Sequence, residues 1–430
     1  MIDIKFLKAN PDKVKENIKK KFQDEKLPLV DEVINLDDRY KENLKDLEAL
    51  RKERNDKSQE IGKLIGMGKK DEAEKIKEEV SSVNNALKDL EEQDKVLAEQ
   101  ITEIMMKIPN IMRDDVPVGK NDTENVEVEK FGDPFVPDYE IPYHSEIIDT
   151  FKGVDFDASR RVAGEGFYYL DGDIARLHSG VLAYARDFMI NKGFIYSIPP
   201  FMMRADVVNG VMSFEEMDAM MYKIEGEDLY LIGTSEHTMI GRFKDELIKK
   251  ESLPITMTSY SPCFRKEKGA HGIEERGLYR VHQFEKQEMI CICEPEDSWD
   301  WYDKFWSYTV EFFRSLDIPV RTLECCSGDL TDLKAKSCDV EAWSPRQKKY
   351  FEVGSCSNLT DAQSRRLGIR IKGEDKNYLA HTLNNTVVAT PRMLIALIEN
   401  NYNEDGSINI PKALRPYVGG MEKLIPNKNK

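Results

Sequence analysis

Residues 261–291 read SPCFRKEKGAHGIEERGLYRVHQFEKQEMIC. Two runs rich in aromatic and polar residues flank a charged middle that contains Gly269, Gly272 and Gly277. This pattern predicts two antiparallel strands joined by a long loop. Because successive side chains of a strand point to opposite faces, alternate residues of each run should lie together. On the first strand these are Cys263, Arg265 and Glu267, and on the second they are Arg280, His282, Phe284, Lys286 and Glu288.

The charges on these two strand faces restrict their role. An unpaired buried charge costs on the order of several kcal/mol, so a face that carries many of them cannot be an ordinary core. The pattern alone leaves two interpretations open. The strands could present a solvated face of an antiparallel sheet, or they could form the floor of a site for an anionic, aromatic ligand. In such a site a guanidinium group would bind phosphate and an aromatic ring would stack on a base.

The size and composition of the chain indicate its class. A chain of 430 residues with 40% hydrophobic and 33% charged residues is typical of a soluble protein with two or more domains. The formal net charge of −16 argues against a protein that coats nucleic acid by bulk attraction, but it allows an enzyme with local basic patches. Seven cysteines without the spacing of a zinc or redox motif predict reduced thiols. With no apolar leader and no long apolar segment, we expect a cytoplasmic protein that does not enter a membrane.

The first quarter of the chain shows a sustained helical pattern. Apolar residues recur at helical spacing from Val33 to Ile65 and again, in a 4-3 pattern, from Ile76 to Ile108, with a break at residues 66–68. This pattern predicts an antiparallel coiled-coil hairpin over about residues 32–108, with an arm of about 50 Å. A hairpin alone could serve dimerisation or spacing.

Basic residues on the hairpin offer a third role. The middle of the arm carries Arg51, Arg54 and Lys57, and its tip carries Lys69 and Lys70. Long basic side chains there could meet a phosphate backbone. Residues 109 to about 165 are rich in proline and acidic residues, which predicts an extended linker rather than a packed unit. We therefore expect one domain over residues 1–110 and a second over residues 111–430.

The second domain begins with alternating helix and strand signals. The pattern predicts a helix over residues 175–192, a strand over 194–198 that Pro199 and Pro200 end, and another strand over 229–232. Thr234 and Glu236 follow that last strand. A hydroxyl and a carboxylate at this point could hold an ammonium group, or they could be an ordinary helix cap with an acidic first turn.

Two later segments carry oxygen and guanidinium groups. Residues 349–358 read KYFEVGSCSN and predict a strand whose Glu352 and Ser355 are suitable ligands for Mg²⁺. Thr390 and Pro391 predict the N-cap and first residue of a helix that runs to about residue 401. Arg392 then lies in the first turn, where the helix dipole disfavours a cation but where a polyphosphate would be bound.

These segments together resemble a known family. FRKE followed by GLYRVHQFEKQE resembles motif 2 of class II aminoacyl-tRNA synthetases, in the form that seryl-tRNA synthetases carry. The helix and strand before Pro200 resemble motif 1, residues 234–236 resemble the serine-binding TxE motif, residues 349–358 resemble the ATP and metal segment, and residues 390–392 resemble motif 3. The resemblance covers nearly the whole chain in family order.

The resemblance implies a fold and an activity. The fold is α+β, with a class II antiparallel sheet flanked by helices and an N-terminal coiled-coil arm, and it works as a homodimer. The activity is that of an ATP-dependent serine–tRNA ligase. Serine and ATP form seryl-adenylate, and the seryl group then passes to tRNA(Ser), whose long variable arm the hairpin holds. The implied cofactors are ATP as a substrate and Mg²⁺; tRNA(Sec) is a further implied substrate.

The resemblance also implies the site residues. Arg265 would bind the α-phosphate and the substrate carboxylate, Arg392 the γ-phosphate, and Phe284 would stack on adenine. Together with Glu267, the two arginines form the implied catalytic set. The implied ATP-binding residues are Arg265, Lys266, Glu267, Val281, His282, Gln283, Phe284, Glu352, Val353, Gly354, Ser355 and Arg392, with Glu352 and Ser355 as metal ligands. The implied serine-binding residues are Thr234, Glu236, Arg265, Glu288, Asn384 and Thr386.

The sequence departs from the family pattern at two places. The motif 2 loop has Ile273 and Glu274 where many relatives have Arg-Asp, which affects how the acceptor end of the tRNA would dock. Asn385 and Thr386 stand where many bacterial relatives have Gly-Ser, a pattern nearer to archaeal and eukaryotic members. Three other functions stay open: a paralogue that charges a carrier protein, a ligase for another amino acid, and a non-catalytic binding protein. An intact arm argues against the first, and the retained charge cluster against the last.

Overall fold

The computed structural model describes residues 1–267 and 277–426. Its helices are α1 Ile4–Ala9, α2 Pro11–Lys20, α3 Leu27–Gly66, α4 Lys70–Lys107, α5 His144–Thr150, α6 Phe156–Val162, α7 Gly172–Asn191, α8 Ala205–Val211, α9 Phe214–Met220, α10 Ser235–Gly241, α11 Ser298–Arg314, α12 Ala362–Leu367 and α13 Arg392–Asn401. Its strands are β1 Val126–Phe131, β2 Ile195–Ser197, β3 Met202–Met203, β4 Tyr230–Leu231, β5 Leu247–Lys249, β6 Ile255–Phe264, β7 Gln283–Cys293, β8 Val320–Glu324, β9 Lys336–Ser344, β10 Lys349–Thr360, β11 Arg370–Lys372, β12 Tyr378–Leu379, β13 His381–Thr390, β14 Ile408–Asn409 and β15 Lys423–Leu424.

The chain forms two compact units. One comprises residues 2–19 and 23–109, and the other comprises residue 1, residues 20–22 and residues 110–430. In the described part of the chain, no helix combines the length and apolar character that crossing a membrane requires.

The first unit contains the predicted helical hairpin. Helices α3 and α4 pack along a seam in which Leu47, Val83 and Leu87 are buried. The amide of Asn43 donates to the backbone oxygen of Leu90 at 3.1 Å and to Asp94 at 3.4 Å, so these polar side chains pair between the two helices. Helix α3 begins at Leu27, before the predicted start, because the proline at its second position suits the first turn of a helix.

The second unit is built on an eight-stranded sheet in the order β1-β8-β9-β10-β13-β7-β6-β2. All neighbouring strands are antiparallel except β2 and β6. This arrangement confirms the predicted α+β class and the antiparallel sheet.

Helices cover both faces of this sheet. The odd-numbered residues Met289 and Cys291 of β7 join one apolar core with residues of α7, α11 and α13. The even-numbered Ile290 and Ile292 join a second core with residues of α8, α10 and α12. Because alternate residues of a strand face opposite sides, this explains why the end of β7 is apolar throughout. Phe284, Lys286 and Glu288 share the parity of the second core, and the site lies on that side.

Several predicted elements differ from the structure. The predicted linker contains the edge strand β1 and helix α5, in which Ile147 and Ile148 are buried. Its prolines and acidic residues hid these short elements. Helix α7 begins three residues before its predicted start, and β2 is shorter than predicted.

The predicted N-cap of the last helix is also wrong. Pro391, not Thr390, occupies the N-cap position of α13. The Thr390 hydroxyl instead pairs with Nε2 of His178 at 2.7 Å and donates to the backbone oxygen of Glu285 at 3.1 Å. A buried hydroxyl with these two partners anchors the end of β13 to its neighbours.

Candidate active site

A cavity of about 380 Å³ lies where β6, β7, β10 and β13 meet the first residues of α10 and α13. Thirteen of the predicted site residues line it: Thr234, Glu236, Arg265, Glu267, Val281, Phe284, Glu352, Val353, Gly354, Ser355, Asn384, Thr386 and Arg392. The structure therefore brings together residues that are far apart in the sequence.

Arg265 follows the last residue of β6. Its Nε donates to the backbone oxygen of Gly233 at 3.2 Å, and its guanidinium carbon lies 5.1 Å from the centre of the Phe284 ring. The backbone contact and the cation–π contact fix the plane of the guanidinium group at the cavity wall. Such a group can bind an oxyanion through two parallel hydrogen bonds.

Arg392 approaches the same cavity from the start of α13. Its Nη1 lies 3.0 Å from Oε2 of Glu352, and its Nε donates to the backbone oxygen of Tyr279 at 3.2 Å. Its guanidinium carbon lies 4.6 Å from the centre of the Tyr279 ring. Burial opposes the ionisation of Glu352, but the neighbouring guanidinium of Arg392 holds the pKa of this carboxyl below its usual range. Two fixed guanidinium groups thus line one cavity.

Glu236 supplies a carboxylate at the other end. It is 9% exposed, and its Oε1 accepts a hydrogen bond from the Gln363 amide at 2.8 Å. Burial, and then the nearby Glu288 carboxylate, raise the pKa of Glu236 to about 7. Thr234 is the N-cap of α10, and its hydroxyl accepts from the backbone N–H of Glu236 at 3.4 Å. The helix-cap interpretation is therefore correct, and both side chains also line the cavity.

A buried polar group lies behind this end of the cavity. Glu288 is fully buried, and its Oε2 forms an ion pair with Lys286 at 2.6 Å. The Asn384 amide donates to Oε1 of Glu288 at 3.2 Å. Lys286 and Asn384 line the cavity, whereas Glu288 does not. The neighbouring Asn385 points to α11, where its amide donates to the backbone oxygen of Phe305 at 2.6 Å.

Three other predicted residues lie outside the cavity lining. The backbone N–H of Lys266 donates to the backbone oxygen of Met220 at 3.0 Å, and Gln283 is exposed at the start of β7. His282 bonds through its backbone to Gly166 at 2.8 Å and through Nδ1 to the backbone oxygen of Arg265 at 2.9 Å. Because β7 begins only at residue 283, the predicted alternation holds for Phe284 and the residues after it but does not extend to His282. The substituted loop positions 273 and 274 lie outside the described residues.

The predicted metal ligands do meet on one side of the sheet. Glu352 and Ser355 have opposite parity on β10, so a regular strand would point them to opposite faces. The pairing of β10 with β9 shifts register between Glu352 and Gly354. This bulge brings both oxygen-bearing side chains to the cavity. A carboxylate and a hydroxyl beside a cavity that two guanidinium groups line fit a magnesium ion.

Sequence reasoning missed several cavity residues. Lys334, His237 and Tyr279 line the cavity and were not predicted, and Lys286 and Arg280 were placed on the strand face without a role. Arg280 pairs with Glu267 at 2.7 Å. For Lys286, the alternation along β7 did indicate that its side chain lies on the same face as Phe284. Cys325, Asp329 and Asp339 form a neighbouring group whose ligand atoms lie within 4.8 Å of one another, and Asp339 also accepts a hydrogen bond from Ser355.

Comparisons with known proteins agree along the chain. Residues 1–112 match the family model described as the seryl-tRNA synthetase N-terminal domain, and residues 220–401 match the one described as the tRNA synthetase class II core domain (G, H, P, S and T). The serine–tRNA ligase of Methanoculleus marisnigri is 39% identical over 99% of this chain and 100% of its own. That of Thermococcus sibiricus is 41% identical over 100% of this chain and 98% of its own.

Solved structures give the same result. The seryl-tRNA synthetase from Pyrococcus horikoshii complexed with ATP is similar at a TM-score of 0.94, with 37% identity and full coverage of both chains. The cytoplasmic serine–tRNA ligase from Naegleria fowleri in complex with AMP is similar at a TM-score of 0.88, with 32% identity over 100% of this chain and 99% of that one.

Proposed function

Because the chain belongs to the seryl-tRNA synthetase family of class II aminoacyl-tRNA synthetases, we propose that it ligates L-serine to tRNA(Ser) at the expense of ATP. The observation that carries the proposal is the shared cavity. Arg265 and Arg392 line it with two cations that suit a nucleotide, and Glu236 lines it with a carboxylate that suits the ammonium group of an amino acid. The chemistry needs alignment and charge stabilisation more than covalent participation by the protein.

The first step joins serine to the nucleotide. A carboxylate oxygen of serine attacks the α-phosphorus of ATP, the bond from that phosphorus to the bridging oxygen breaks, and pyrophosphate leaves with the electron pair. Arg265 binds the α-phosphate and the serine carboxylate, so its charge offsets the negative charge that grows between them. Arg392 holds the γ-phosphate, which keeps the leaving group in line with the attacking oxygen.

The nucleotide base lies against Phe284. The Arg265 guanidinium lies near the ring of Phe284, and the ring lines the cavity, where adenine would stack on it. Val281, Val353 and Gly354 complete the walls, and Glu267, held by Arg280, lies near the adenine or the tRNA end. The other three predicted ATP-binding residues have indirect roles. His282 supports the backbone of Arg265, and Lys266 and Gln283 contribute through their backbone.

Mg²⁺ completes the nucleotide site. Glu352 and Ser355 would hold it, and when bound it would supply positive charge that offsets the charge of the triphosphate. Arg392 shares the Glu352 carboxylate, so the ion and the guanidinium would together neutralise the triphosphate. Against the effect of burial, the Arg392 guanidinium also lowers the pKa of Glu352 and so keeps its carboxylate ionised.

Serine recognition uses the acidic end. Glu236 and Thr234 hold the ammonium group, and Glu288 accepts a hydrogen bond from the serine hydroxyl, which reaches it when Lys286 or Asn384 shifts to admit the substrate. Thr386 closes the pocket. Alanine lacks the hydroxyl and cannot form this hydrogen bond, so a site that has opened to present Glu288 binds alanine less well than serine. Threonine must be rejected by lack of space.

In the second step a hydroxyl of the 3′-terminal ribose attacks the seryl carbonyl carbon, its proton passes to a phosphate oxygen of the leaving group, and AMP leaves with the electron pair of the broken acyl–phosphate bond. We assign residues 1–110 to tRNA binding and residues 111–430 to catalysis. The long variable arm of tRNA(Ser) lies along the hairpin, and tRNA(Sec) is a second substrate.

The charges of the hairpin restrict where tRNA can bind. Acidic residues outnumber basic ones on both helices. Arg51 pairs with Glu91 at 2.9 Å, and Lys57 pairs with Glu79 at 2.7 Å. These predicted contacts are therefore partly neutralised. Helix α3 has three exposed lysines on one face: Lys45, Lys52 and Lys63. Lys52 follows Lys45 by about two helical turns, and Lys63 follows Lys52 by about three. Together they offer a row of cations to the phosphates of a tRNA.

The protein acts in the cytoplasm as a homodimer. The short edge strand β2 pairs only with β6 in the sheet of the described residues. Ile195 and Ile198 at this edge are 63% and 65% exposed, and a second copy would cover them. Sedimentation of the wild type and of Ile195→Asp tests this assignment: a dimer and a monomer are expected, respectively.

The experiment that tests the function is ATP–pyrophosphate exchange with each of the twenty amino acids, followed by charging of tRNA(Ser). We expect exchange with serine alone, and charging of tRNA(Ser) with serine. Exchange with glycine or alanine but not serine would overturn the assignment of serine as the substrate. Exchange with serine but transfer only to a carrier protein would overturn the tRNA assignment, and an absence of exchange with every amino acid would indicate a non-catalytic protein.

A further inference from the structure

His237 lies at the amino-acid end of the cavity and has no role in the scheme above. It occupies the third position of α10, directly after Thr234 and Glu236 in the cavity wall. Only 4% of the residue is exposed. Its backbone N–H continues the start of the helix by bonding to the Thr234 oxygen at 3.4 Å. The position of the imidazole is thus set by the same turn that places Glu236.

The imidazole is held in place but lacks a polar partner. A side-chain carbon on Gly233 would lie 3.7 Å from Cε1 of His237 and 2.7 Å from the sulfur of Met220, so the ring packs against a close backbone. Within the described part of the chain, Nδ1 is buried and makes no hydrogen bond. Buried polar atoms almost always have a partner, and an exception beside a cavity indicates a group that arrives with the ligand.

The nearest charged groups do not supply that partner. Burial, with the positive charges of Lys286 and Arg265, lowers the pKa of His237 to about 3, so the ring is neutral at physiological pH. Lys286 is already paired with Glu288 at 2.6 Å, and Nε of Arg265 already donates to the Gly233 oxygen. A neutral imidazole has one donor and one acceptor nitrogen.

The chemistry of the surroundings selects one substrate group. The two cations would repel the ammonium group of an amino acid, and Arg265 already takes its carboxylate in the proposed function. A hydroxyl remains. It can donate one hydrogen bond and accept others, so it can bond to Glu288 and to the imidazole at the same time in either tautomer.

On these grounds, and resting on the proposed function, we propose that His237 is a specificity-determining residue whose Nδ1 forms a hydrogen bond with the side-chain hydroxyl of the amino-acid substrate. It would favour serine over alanine by completing a two-sided hydroxyl site, with Glu288 on one side and the imidazole on the other. Helix α10 then reads both ends of the amino acid, the ammonium group through Glu236 and the hydroxyl through the next residue.

A binding cycle with two reaction-intermediate analogues tests this role. The dissociation constants of seryl- and alanyl-sulfamoyl-adenosine, which differ only by the hydroxyl, are measured by calorimetry at pH 7.5. Wild type, His237→Leu, His237→Asn and His237→Gln are compared. Asn places an amide at the position of Nδ1, whereas Gln places it further out. We expect the preference for the seryl analogue to fall roughly threefold to tenfold in the Leu and Gln variants, as one neutral hydrogen bond predicts, and to remain in the Asn variant.

The control is His381→Asn. His381 is another buried imidazole whose pKa burial lowers to about 4, but it bonds to Ser298 at 2.8 Å and lies outside the cavity lining. Its variant should keep the wild-type preference. If the Leu variant does not fold, the comparison of Asn with Gln decides. An equal loss of affinity for both analogues, or an unchanged preference in Leu and Gln, would overturn the role of His237. A wild type without preference for the seryl analogue would instead overturn the proposed function.

Discussion

The raised pKa of Glu236 makes serine binding depend on pH near neutrality. The carboxyl is buried beside Glu288 and has a pKa of about 7. Only the ionised form holds the serine ammonium group, so binding competes with protonation. Between pH 8 and pH 6 the ionised fraction falls from about nine-tenths to about one-tenth. We therefore expect the KM for serine to rise about tenfold over this range, and the KM for ATP to change much less.

The same carboxyl affects stability in a defined direction. Its pKa in the folded protein, about 7, lies above the ordinary value of 4.5, so the folded state binds the proton more tightly than the unfolded state. The stabilisation is complete below pH 4.5 and is lost as the pH rises through about 7. At about 1.4 kcal/mol per pH unit, the loss is on the order of 3 kcal/mol. Glu236→Gln cannot lose a proton, so over the same range its free energy of unfolding should rise relative to that of the wild type.

The assay is serine-dependent pyrophosphate exchange at saturating ATP between pH 6 and 8, with urea unfolding between pH 4.5 and 8. Glu236→Gln keeps the shape of the side chain and can still accept the Gln363 hydrogen bond through its carbonyl oxygen. Glu324→Gln is the matched control, because burial also raises the pKa of Glu324 to about 7 but this residue lies outside the cavity lining. The reasoning is refuted if the wild-type KM for serine stays flat, or if the tenfold change persists in Glu236→Gln.

Three further outcomes are expected. Arg265→Ala should abolish serine-dependent exchange, whereas Arg415→Ala, which breaks an ion pair with Glu422 outside the cavity lining, should retain it; near-normal exchange in Arg265→Ala would contradict its role. Glu352→Gln and Ser355→Ala should each raise the Mg²⁺ concentration for half-maximal exchange by at least about tenfold, and an unchanged requirement would place the ion elsewhere. Replacing residues 58–78 of the hairpin by a short glycine–serine turn should reduce tRNA(Ser) charging strongly and leave exchange intact, and unchanged charging would show that the distal arm does not bind tRNA.

The regular parts of the fold were readable from the sequence. The heptad spacing predicted the hairpin, and the break at residues 66–68 predicted its turn. On β7 the two-residue alternation correctly placed Phe284 and Lys286 on one side of the sheet. The alternation holds there because β7 pairs with β6 without a register shift. The charge of Arg392 at a helix start was a useful signal, because it is unfavourable for the helix alone.

The irregular parts were not readable. The bulge in β10 places Glu352 and Ser355 on the same side, and nothing in the residue types marks where the extra residue lies. The oxygen chemistry of the two residues and the family resemblance, not the alternation, supplied that pair. Likewise, the pairing of Thr390 with His178 depends on where α7 packs, which local sequence does not fix. His237 could not be identified, because an imidazole after an acidic helix start is an ordinary residue until the cavity beside it is known.

The proposed reaction requires Arg265 to bind two substrates in one cavity. A crystal structure with a non-hydrolysable ATP analogue and L-serine measures this directly. We expect the serine carboxylate and the α-phosphate both within hydrogen-bonding distance of the Arg265 guanidinium, with the γ-phosphate at Arg392. A triphosphate bound outside this cavity, or a serine carboxylate directed away from the α-phosphate, would contradict the account.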